Sequence, residues 1–428
     1  MTVERSIAAR RARAPRLLEG RVLRGVNAHH ATTVFAQRVD TGKPAARATA
    51  DGAPFERALL DAILEIERRT ARAMGRLEVP GFSRILPDAG SAGVFTLVWE
   101  CASGSVSRAA ARAALAGLTR KDSASLLRKI DRRARRRQWS PGAAALALAA
   151  RERGIPCEPL AGEYLRLGDG AVQQLVSATE RWDLGRLFPV GSPTCVPVAL
   201  VLGARGTGGV ARDLDGLLRA TGRVSGLATK KLTTISGRPV DPTSVGRGDG
   251  ARFLLGDPRL ETLVAAAHPA RVLERGLRLE RLATLAIVDQ KGGRDVHVRG
   301  IEVGVAATSG AVVLDADSPL ALRLAIELGR DRLVLVSLDA SEPPVARHLA
   351  AGGAAVLLVL GDQGETVELH RAAETVATIR VSSVRSKGRR VSERRLRRAM
   401  FAMGLAFALG LTGEEIVTAM EKRRFLRG

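Results

Sequence analysis

Aromatic residues are scarce in this sequence. Phe, Trp and Tyr together make up 3% of its 428 residues, and there is a single Tyr. Proteins that bind single-stranded nucleic acid use aromatic rings as stacking platforms. A nucleic-acid partner is therefore disfavoured. The core has to be made of Ala, Leu and Val, which suits helices packed on parallel strands.

Cysteine is rarer still. The three cysteines, Cys101, Cys157 and Cys195, lie far apart and include no C-x-x-C pair. This spacing argues against a disulfide framework and against a zinc site, and it fits a reducing compartment. We expect a cytoplasmic protein.

Long hydrophobic runs are also missing. The longest apolar run, residues 400–411, is shorter than the roughly 20 residues that a membrane-spanning helix needs. The N-terminal segment is basic but contains no apolar core of the kind found in secretory signals. We therefore expect no membrane partner.

Positive charge is abundant, with 67 Lys and Arg against 44 Asp and Glu and a net charge of +23. Such an excess favours polyanionic partners, namely nucleic acid, a membrane surface or an acidic polymer. The alternative is that Arg serves as generic surface charge. The densest run, RRARRRQ, ends a predicted helix at 124–137, where cations suit the negative pole of the helix dipole.

The first 195 residues predict two units. Strands within 21–38 and at 93–101, and helices at 54–77, 107–118 and 124–137, predict a small α+β domain over residues 1–138. Residues 139–195 are predicted to begin with a helix at 140–153, with Pro141 in its first turn. Two short strands follow, and residues 177–195 are predicted to be a linker.

From residue 196 onward, buried strands alternate with helices. This pattern predicts a doubly wound α/β sheet. We predict a central domain over residues 196–310 and a small C-terminal lobe over 311–428. Two helices, at 393–409 and 413–422, are predicted to close the chain.

A glycine-rich turn follows the first of these strands. Gly203-Ala204-Arg205-Gly206-Thr207-Gly208-Gly209 stands between a strand and a helix, an arrangement that directs backbone N–H groups at an anion. An intact ATP-binding loop of this type continues with Lys and then Ser or Thr. Thr207 holds the Lys position, and Gly208 and Gly209 hold the hydroxyl positions. The turn is predicted to be either a weak site for ATP or another phosphate, or a plain strand–helix connection.

Several motifs around this turn resemble those of cyanophycin synthetases, which belong to the Mur ligase superfamily. Residues 223–231 are similar to the family's R-x-x-G-L-T-T-T-D-G segment, and residues 265–277 (AAAHPARVLERGL) to E-T-A-R-G-G-I-L-R-R-G-L. Residues 313–319 resemble V-L-N-A-D-D-P. In the N-terminal half, residues 21–27 resemble R-x-L-R-G-P-N, and residues 167–173 resemble L-G-Y-G-x-x-Q.

The resemblance implies a nucleotide site that has lost most of its chemistry. Asp317 keeps the acidic position that contacts the nucleotide in Mur-type ligases. Ala266 stands where the family has its metal-binding Glu, and Pro269 where it has Arg. Asp315 replaces an Asn, and its negative charge would oppose a nearby phosphate.

Two further departures concern longer stretches. Residues 289–295 align with the family's T-N-x-x-x-D-H stretch and keep neither its Asn nor its His in place. Between Val176 and Val196 the family carries nearly a whole ATP-grasp domain, where this chain has the predicted linker.

No metal site is predicted from the histidines. Residues 93–98 align with a zinc-peptidase-like H-x-x-E-H found in relatives but contain neither His nor Glu. His29 and His30 are adjacent and, on a predicted strand, would point to opposite faces. The other four are expected to be structural or exposed: His268, His297, His348 and His370.

Three functional hypotheses remain open, and whether the chain is an enzyme remains open with them. The first is a non-catalytic homologue with no catalytic residues and no firm cofactor, which forms homo-oligomers or hetero-oligomers with a full-length cyanophycin-type synthetase or binds its polymer. The second is an ATP-dependent carboxylate–amine ligase rewired around Arg205, Lys230 and Lys231. The third, binding of nucleic acid or an anionic polymer through Arg-rich faces, is supported by no recognisable module.

Overall fold

The computed structural model describes most of the chain. The described residues are 14–42, 54–75, 81–101, 103–119, 121–136, 138–160, 163–241, 250–288, 295–362, 364–381 and 392–423. The chain divides into two compact units, one made of residues 1–165 and 175–187 and the other of residues 166–174 and 188–428. The division into four domains stays a prediction.

The first unit contains a four-stranded antiparallel sheet with strand order β1-β2-β4-β3. Its strands are β1 (Arg16–Leu23), β2 (Val34–Asp40), β3 (Ser83–Pro87) and β4 (Val94–Glu100). Three helices accompany the sheet: α1 (Phe55–Ala73), α2 (Gly104–Leu118) and α3 (Ala124–Arg135). The predicted strands and helices are confirmed here. Edge strand β3 was not predicted, because all five of its residues are exposed or half-exposed and its sequence has no regular apolar alternation.

The core of this unit lies between the sheet and α1 and α2. Phe35 and Trp99 are fully buried there, with ring centroids 5.1 Å apart. One charged side chain shares the core: Glu67 is 1% exposed. Its Oε1 accepts hydrogen bonds from Trp99 Nε1 and from the Ser107 hydroxyl. The buried carboxylate is thus held by donors, as burial of a charge requires.

The segment that follows begins as predicted. Helix α4 (Pro141–Glu152) starts at an N-cap Ser140, whose hydroxyl accepts a hydrogen bond from Ala143 N at 3.2 Å. Gly154, with φ at 66°, ends it. Three short strands then form a sheet of order β5-β6-β7: β5 (Cys157–Pro159), β6 (Tyr164–Leu167) and β7 (Gln174–Ser177).

The predicted linker at 177–195 holds more structure than its sequence indicates. It contains the one-turn helix α5 (Leu184–Leu187), and both Leu184 and Phe188 are buried. Trp182 Nε1 donates to the carbonyl of Ser177 at 2.7 Å. A few isolated apolar residues anchor this segment, and isolated residues carry no periodic signal.

The second unit is built on an 11-stranded sheet with strand order β11-β10-β9-β12-β8-β13-β14-β15-β16-β17-β18. Neighbouring strands from β9 to β16 run parallel, and antiparallel strands close both edges. The strands are β8 (Val198–Gly203), β9 (Ser225–Ala228), β10 (Thr233–Ile235), β11 (Arg238–Pro239), β12 (Thr262–Ala267), β13 (Thr284–Val288), β14 (Val312–Asp315), β15 (Leu333–Ser337), β16 (Ala354–Gly361), β17 (Gly364–Arg371) and β18 (Glu374–Arg380).

Helices join and cover these strands. They are α6 (Thr207–Ala220), α7 (Gly250–Leu255), α8 (Pro269–Arg275), α9 (Asp295–Ala306), α10 (Pro319–Leu328), α11 (Pro343–Ala350), α12 (Glu393–Ala408) and α13 (Gly413–Arg423). The predicted α/β class and the doubly wound sheet are confirmed, as are the two closing helices. The strands on either side of residue 310, β13 and β14, are hydrogen-bonded neighbours in this sheet.

Strand β8 lies at the point where the strand order reverses. The chain adds β9 and β12 on one side of β8, and from β13 onward it builds on the other side. All residues of β8 and β13 are buried, as expected of parallel strands covered on both faces. Ligand sites of open α/β sheets form at the carboxyl ends of the strands flanking such a reversal.

No helix of the described residues is both long and apolar enough to cross a membrane.

Candidate functional site

The glycine-rich turn lies at this reversal point. Strand β8 ends at Gly203, and α6 begins at Thr207. Gly206 occupies the N-cap with φ at 76° and ψ at −16°, a left-handed conformation that favours glycine. Its carbonyl accepts hydrogen bonds from Gly209 N and Val210 N. The backbone therefore has the predicted strand–turn–helix form.

The close packing of two neighbouring strands explains why residue 203 is a glycine. A Cβ atom at this position would lie 2.0 Å from the carbonyl oxygen of Val288, the last residue of the neighbouring strand β13. Gly208 stands in contrast, because a Cβ there would meet nothing within 4 Å. The close approach of β8 and β13 thus explains one of the predicted phosphate-loop glycines without a ligand.

An arginine from the end of the chain lies against the loop. Arg398 on α12 lies so close to Gly209 that a Cβ atom added at Gly209 would be 2.7 Å from the Arg398 Nε. Its guanidinium forms a two-pronged ion pair with Asp213 on α6: Nε donates to Oδ2 at 3.0 Å and Nη2 donates to Oδ1 at 2.9 Å. A guanidinium that is already bound to a carboxylate therefore covers Gly209, the second of the two predicted hydroxyl positions.

The neighbouring arginine binds the predicted acidic position. Arg397 Nη2 donates to Asp317 Oδ2 at 2.7 Å, and Nη1 donates to Asp315 Oδ2 at 2.6 Å. Its Nε also donates to Glu393 Oε1 at 3.1 Å. Burial favours a lower pKa of Arg397. The hydrogen bonds to Asp317 and Asp315, together with the charges of these carboxylates, outweigh that effect and raise the pKa above its usual value. Asp317 is thus engaged within the protein.

The end of strand β15 adds more carboxylates. Burial, a hydrogen bond to Asp317 and the charges of Asp317, Asp339 and Asp315 raise the pKa of Glu342 above its usual value. Burial is also the largest cause that raises the pKa of Asp315, against the opposing effect of Arg397. Like-charged carboxylates crowded together disfavour full ionisation.

Two histidines that the sequence scattered are neighbours. His268 follows β12 and accepts a hydrogen bond from Ala270 N at 3.2 Å through Nδ1, and the ring of His297 lies edge-on to it at 5.2 Å between centroids. Burial, His297 and Arg271 lower the pKa of His268. The two residues belong to different elements, and strands β12 and β13 bring them together because they place the starts of α8 and α9 at one edge of the sheet.

The remaining histidines are held by local contacts. His29 and His30 lie in the loop between β1 and β2, which corrects their predicted place on a strand. His30 stacks on Phe82 at 4.4 Å between centroids. His348 is buried and its Nε2 is 3.1 Å from the carbonyl of Ala354. His370 Nε2 pairs with Glu368.

The cations predicted to rewire the site follow different strands of the sheet. Arg205 is exposed in the loop and, within the described residues, takes part in no ion pair. Lys230 and Lys231 lie in a turn after β9 that is closed by Thr229 N donating to the Leu232 carbonyl. Strand β12 separates β9 from β8, which sets the two strands about 10 Å apart. Lys230 and Lys231 therefore follow a strand that is not a direct neighbour of the strand leading into the loop.

Metal ligands are not assembled at this edge. The described residues contain no group of three or more His, Cys, Asp or Glu side chains that could hold a metal ion. The stretch at 289–294, predicted to have lost an Asn and a His, lies outside the described residues, as do residues 1–13. One buried oxygen at the edge, Ser318 Oγ, has no hydrogen-bond partner in the described part of the chain.

Fold and loop together define the second unit as a doubly wound α/β protein with a glycine-rich strand–turn–helix at its reversal point. No family model matches the chain. The predicted similarity to cyanophycin synthetase is confirmed. The chain is 25% identical to the enzyme of Synechocystis sp. over 189 residues, 42% of this chain and 22% of the relative.

Two further cyanophycin synthetases give the same result. The identity is 26% with that of Geminocystis herdmanii and 25% with that of Crocosphaera subtropica, each over 187 residues, 40% of this chain and 21% of the relative. The matched segment therefore spans about a fifth of the length of these curated relatives.

Solved structures with related shapes include two ligases. A UDP-N-acetylmuramoyl-L-alanyl-D-glutamate–2,6-diaminopimelate ligase matches with a TM-score of 0.40 and 12% identity, over 53% of this chain and 46% of that one. Mycobacterium tuberculosis folylpolyglutamate synthase complexed with ADP matches with a TM-score of 0.36 and 15% identity, over 53% of this chain and 58% of that one.

The first prediction concerns the two adjacent glycines of α6. Gly208→Ala should raise the free energy of unfolding by about 0.5–1 kcal/mol, because it adds a helix-favouring residue in open space. Gly209→Ala should be less stable than Gly208→Ala by about 1–2 kcal/mol, because its Cβ has to displace the Arg398–Asp213 pair.

All three Trp residues and the single Tyr lie in the first unit, so denaturation is followed by far-UV circular dichroism. Equal stability of the two variants would contradict the packing of Arg398 on Gly209.

The second prediction concerns pH. A carboxyl group whose pKa is raised in the folded state favours folding in acid, and this contribution is lost as the pH rises from the unfolded pKa through the folded one. Glu342→Gln should therefore stabilise the protein near neutral pH by about 0.5 kcal/mol or less, since Glu342 is partly solvated. The gain should disappear near about pH 4. The exposed Glu327→Gln serves as control and should show no such pH-dependent gain.

Proposed function

We propose that this chain is a non-catalytic homologue of the cyanophycin synthetase type that acts by binding. The observation that carries this proposal is the pairing of Arg397 and Arg398 with carboxylates of their own unit. In an ATP-dependent ligase, cations and Mg²⁺ at this edge must neutralise phosphate oxygens in the transition state. Here the guanidiniums of α12 are already neutralised by Asp213, Asp315 and Asp317.

The substitutions in the loop support the same proposal. Thr207 and Gly208 supply neither the ammonium group nor the Mg²⁺-binding hydroxyl that phosphoryl transfer requires at these positions. Ala266 and Pro269 stand where the resemblance places a metal-binding Glu and an Arg. These positions belong to different elements, so one compensating change would not restore turnover.

We propose that a chain of this kind binds a homologous protein. Homologous chains share complementary surfaces, which makes mixed oligomers physically accessible. We therefore propose association with a full-length cyanophycin synthetase or with its polymer, in the cytoplasm, with self-association as the alternative assembly.

The third prediction tests association. When the chain is co-expressed with an intact cyanophycin synthetase, the two should co-purify through affinity capture and then elute together in size-exclusion chromatography. An unrelated protein of similar net charge serves as control, because +23 charges can cause non-specific retention. Separate elution from the intact enzyme, or equal capture of the control, would argue against this partner.

A ligase with a rewired site is the second candidate. Two observations favour it: Arg205 is exposed in the loop, and Ser318 Oγ is buried beside Asp317 without a partner among the described residues. Arg205 would then replace the missing Lys as the cation that meets phosphate.

The fourth prediction separates the two candidates. Calorimetric titration of the full chain with ATP, with and without Mg²⁺, should show no binding at micromolar strength, because the loop lacks its Lys and both Arg397 and Arg398 are paired with carboxylates. Arg205→Ala and Lys230→Ala are titrated in parallel. Micromolar binding that is lost in Arg205→Ala and kept in Lys230→Ala would favour the ligase and overturn the non-catalytic proposal.

A further inference from the structure

A cleft of about 510 Å³ lies in the first unit, between strand β1 and helix α2. Four cationic side chains line it: Arg16, Arg108, Arg112 and Lys121. No Asp or Glu is among its lining residues. We refer to it as the basic cleft.

Most of this charge has no acidic partner in the part of the chain that the structure describes. Arg16 is paired, since its Nε donates to Asp40 Oδ2 at 3.1 Å. Arg108 Nη2 donates to the carbonyl of Gly20 at 3.1 Å, and within the described residues neither Arg112 nor Lys121 takes part in an ion pair. Arg108 and Arg112 are separated by one turn of α2. Like charges at this spacing destabilise a helix unless an anion lies between them.

The wall of the cleft is fixed by a buried amide. The pairing of β1 with β2 shifts register between Leu17 and Gly20. Gln37, 2% exposed, spans this irregularity, and its Nε2 donates to the carbonyls of Leu18 and Glu19 at 3.2 Å each. A Cβ at Gly20 would lie 2.3 Å from Gln37 Oε1. The carbonyl that anchors Arg108 is therefore held in a rigid position.

We propose that the basic cleft binds a small molecule that carries two or three negatively charged groups, either phosphates or carboxylates. Its volume falls in the range of small-molecule sites. Guanidinium groups bind both kinds of anion through paired hydrogen bonds, and Leu17 and Leu115 give the cleft an apolar wall for the carbon part. The inference does not depend on the proposed function, because it uses no residue of the second unit.

The fifth prediction tests this site with two probes, inorganic triphosphate and citrate, titrated calorimetrically into the full chain at low salt. The double variant Arg108→Gln/Arg112→Gln should lose at least about tenfold in affinity for the probe that binds. Arg128→Gln/Arg132→Gln is the matched control: it removes the same charge at the same spacing, from exposed positions of α3. The control should keep the native affinity within about twofold.

A comparison of the two probes, a further control variant and a replacement variant complete the test of the basic cleft. Preference for triphosphate assigns phosphate groups to the ligand, and preference for citrate assigns carboxylates. Arg205→Ala should leave the affinity unchanged, which excludes the glycine loop as the site. If Trp fluorescence shows that the double variant misfolds, Arg112→Gln/Lys121→Gln replaces it, because it spares the Arg108–Gly20 contact. The proposal is overturned if neither probe binds, if the control loses as much affinity, or if Arg205→Ala abolishes binding.

Discussion

The second unit depends on the ion pairs between helix α12 and the carboxyl edge of its sheet. Arg398 joins α12 to Asp213, 185 positions earlier, and Arg397 joins it to Asp315, 82 positions earlier. Both pairs are half-buried, so removing one partner would leave a charge with little water to stabilise it. These contacts hold α12 against α6 at the point where the strand order reverses. The same contacts therefore fix the packing of this edge and its electrostatic state.

That electrostatic state decides what the edge can do. Three carboxylates surround Arg397, and burial together with the nearby Asp317, Asp339 and Asp315 raises the pKa of Glu342. A bound nucleotide would bring several more negative charges to the same edge. In an active ligase Mg²⁺ and a loop lysine offset them, but the loop supplies neither, and Arg398 is neutralised by Asp213. A phosphate that binds Arg397 or Arg398 would therefore have to break an internal ion pair, which leaves Arg205 as the loop cation without such a pair among the described residues.

The sequence predicted the parts of the fold that rest on local pattern. Buried apolar strands such as β8 and β13, the turn at Gly206 and the helix that begins at Pro141 are examples, because hydrophobic runs and φ preferences act over a few residues. Strand β12 (TLVAAA) was missed, since half of its residues are Ala, which favours helix, and only pairing with β8 and β9 makes it a strand. The Arg398–Asp213 pair and the His268–His297 contact were missed because they depend on strand order, which no local pattern encodes.

The structure also bears on the interpretation of the net charge. Composition left both generic surface charge and a polyanionic partner open, since both need only an excess of Arg. The structure distinguishes two sets among these cations. Arg397 and Arg398 on helix α12 are matched by carboxylates, whereas Arg112 and Lys121 in the basic cleft of the first unit have no acidic partner among the described residues. A cleft lined by four cations and by no Asp or Glu suits an anionic partner, so the excess is most informative in the first unit.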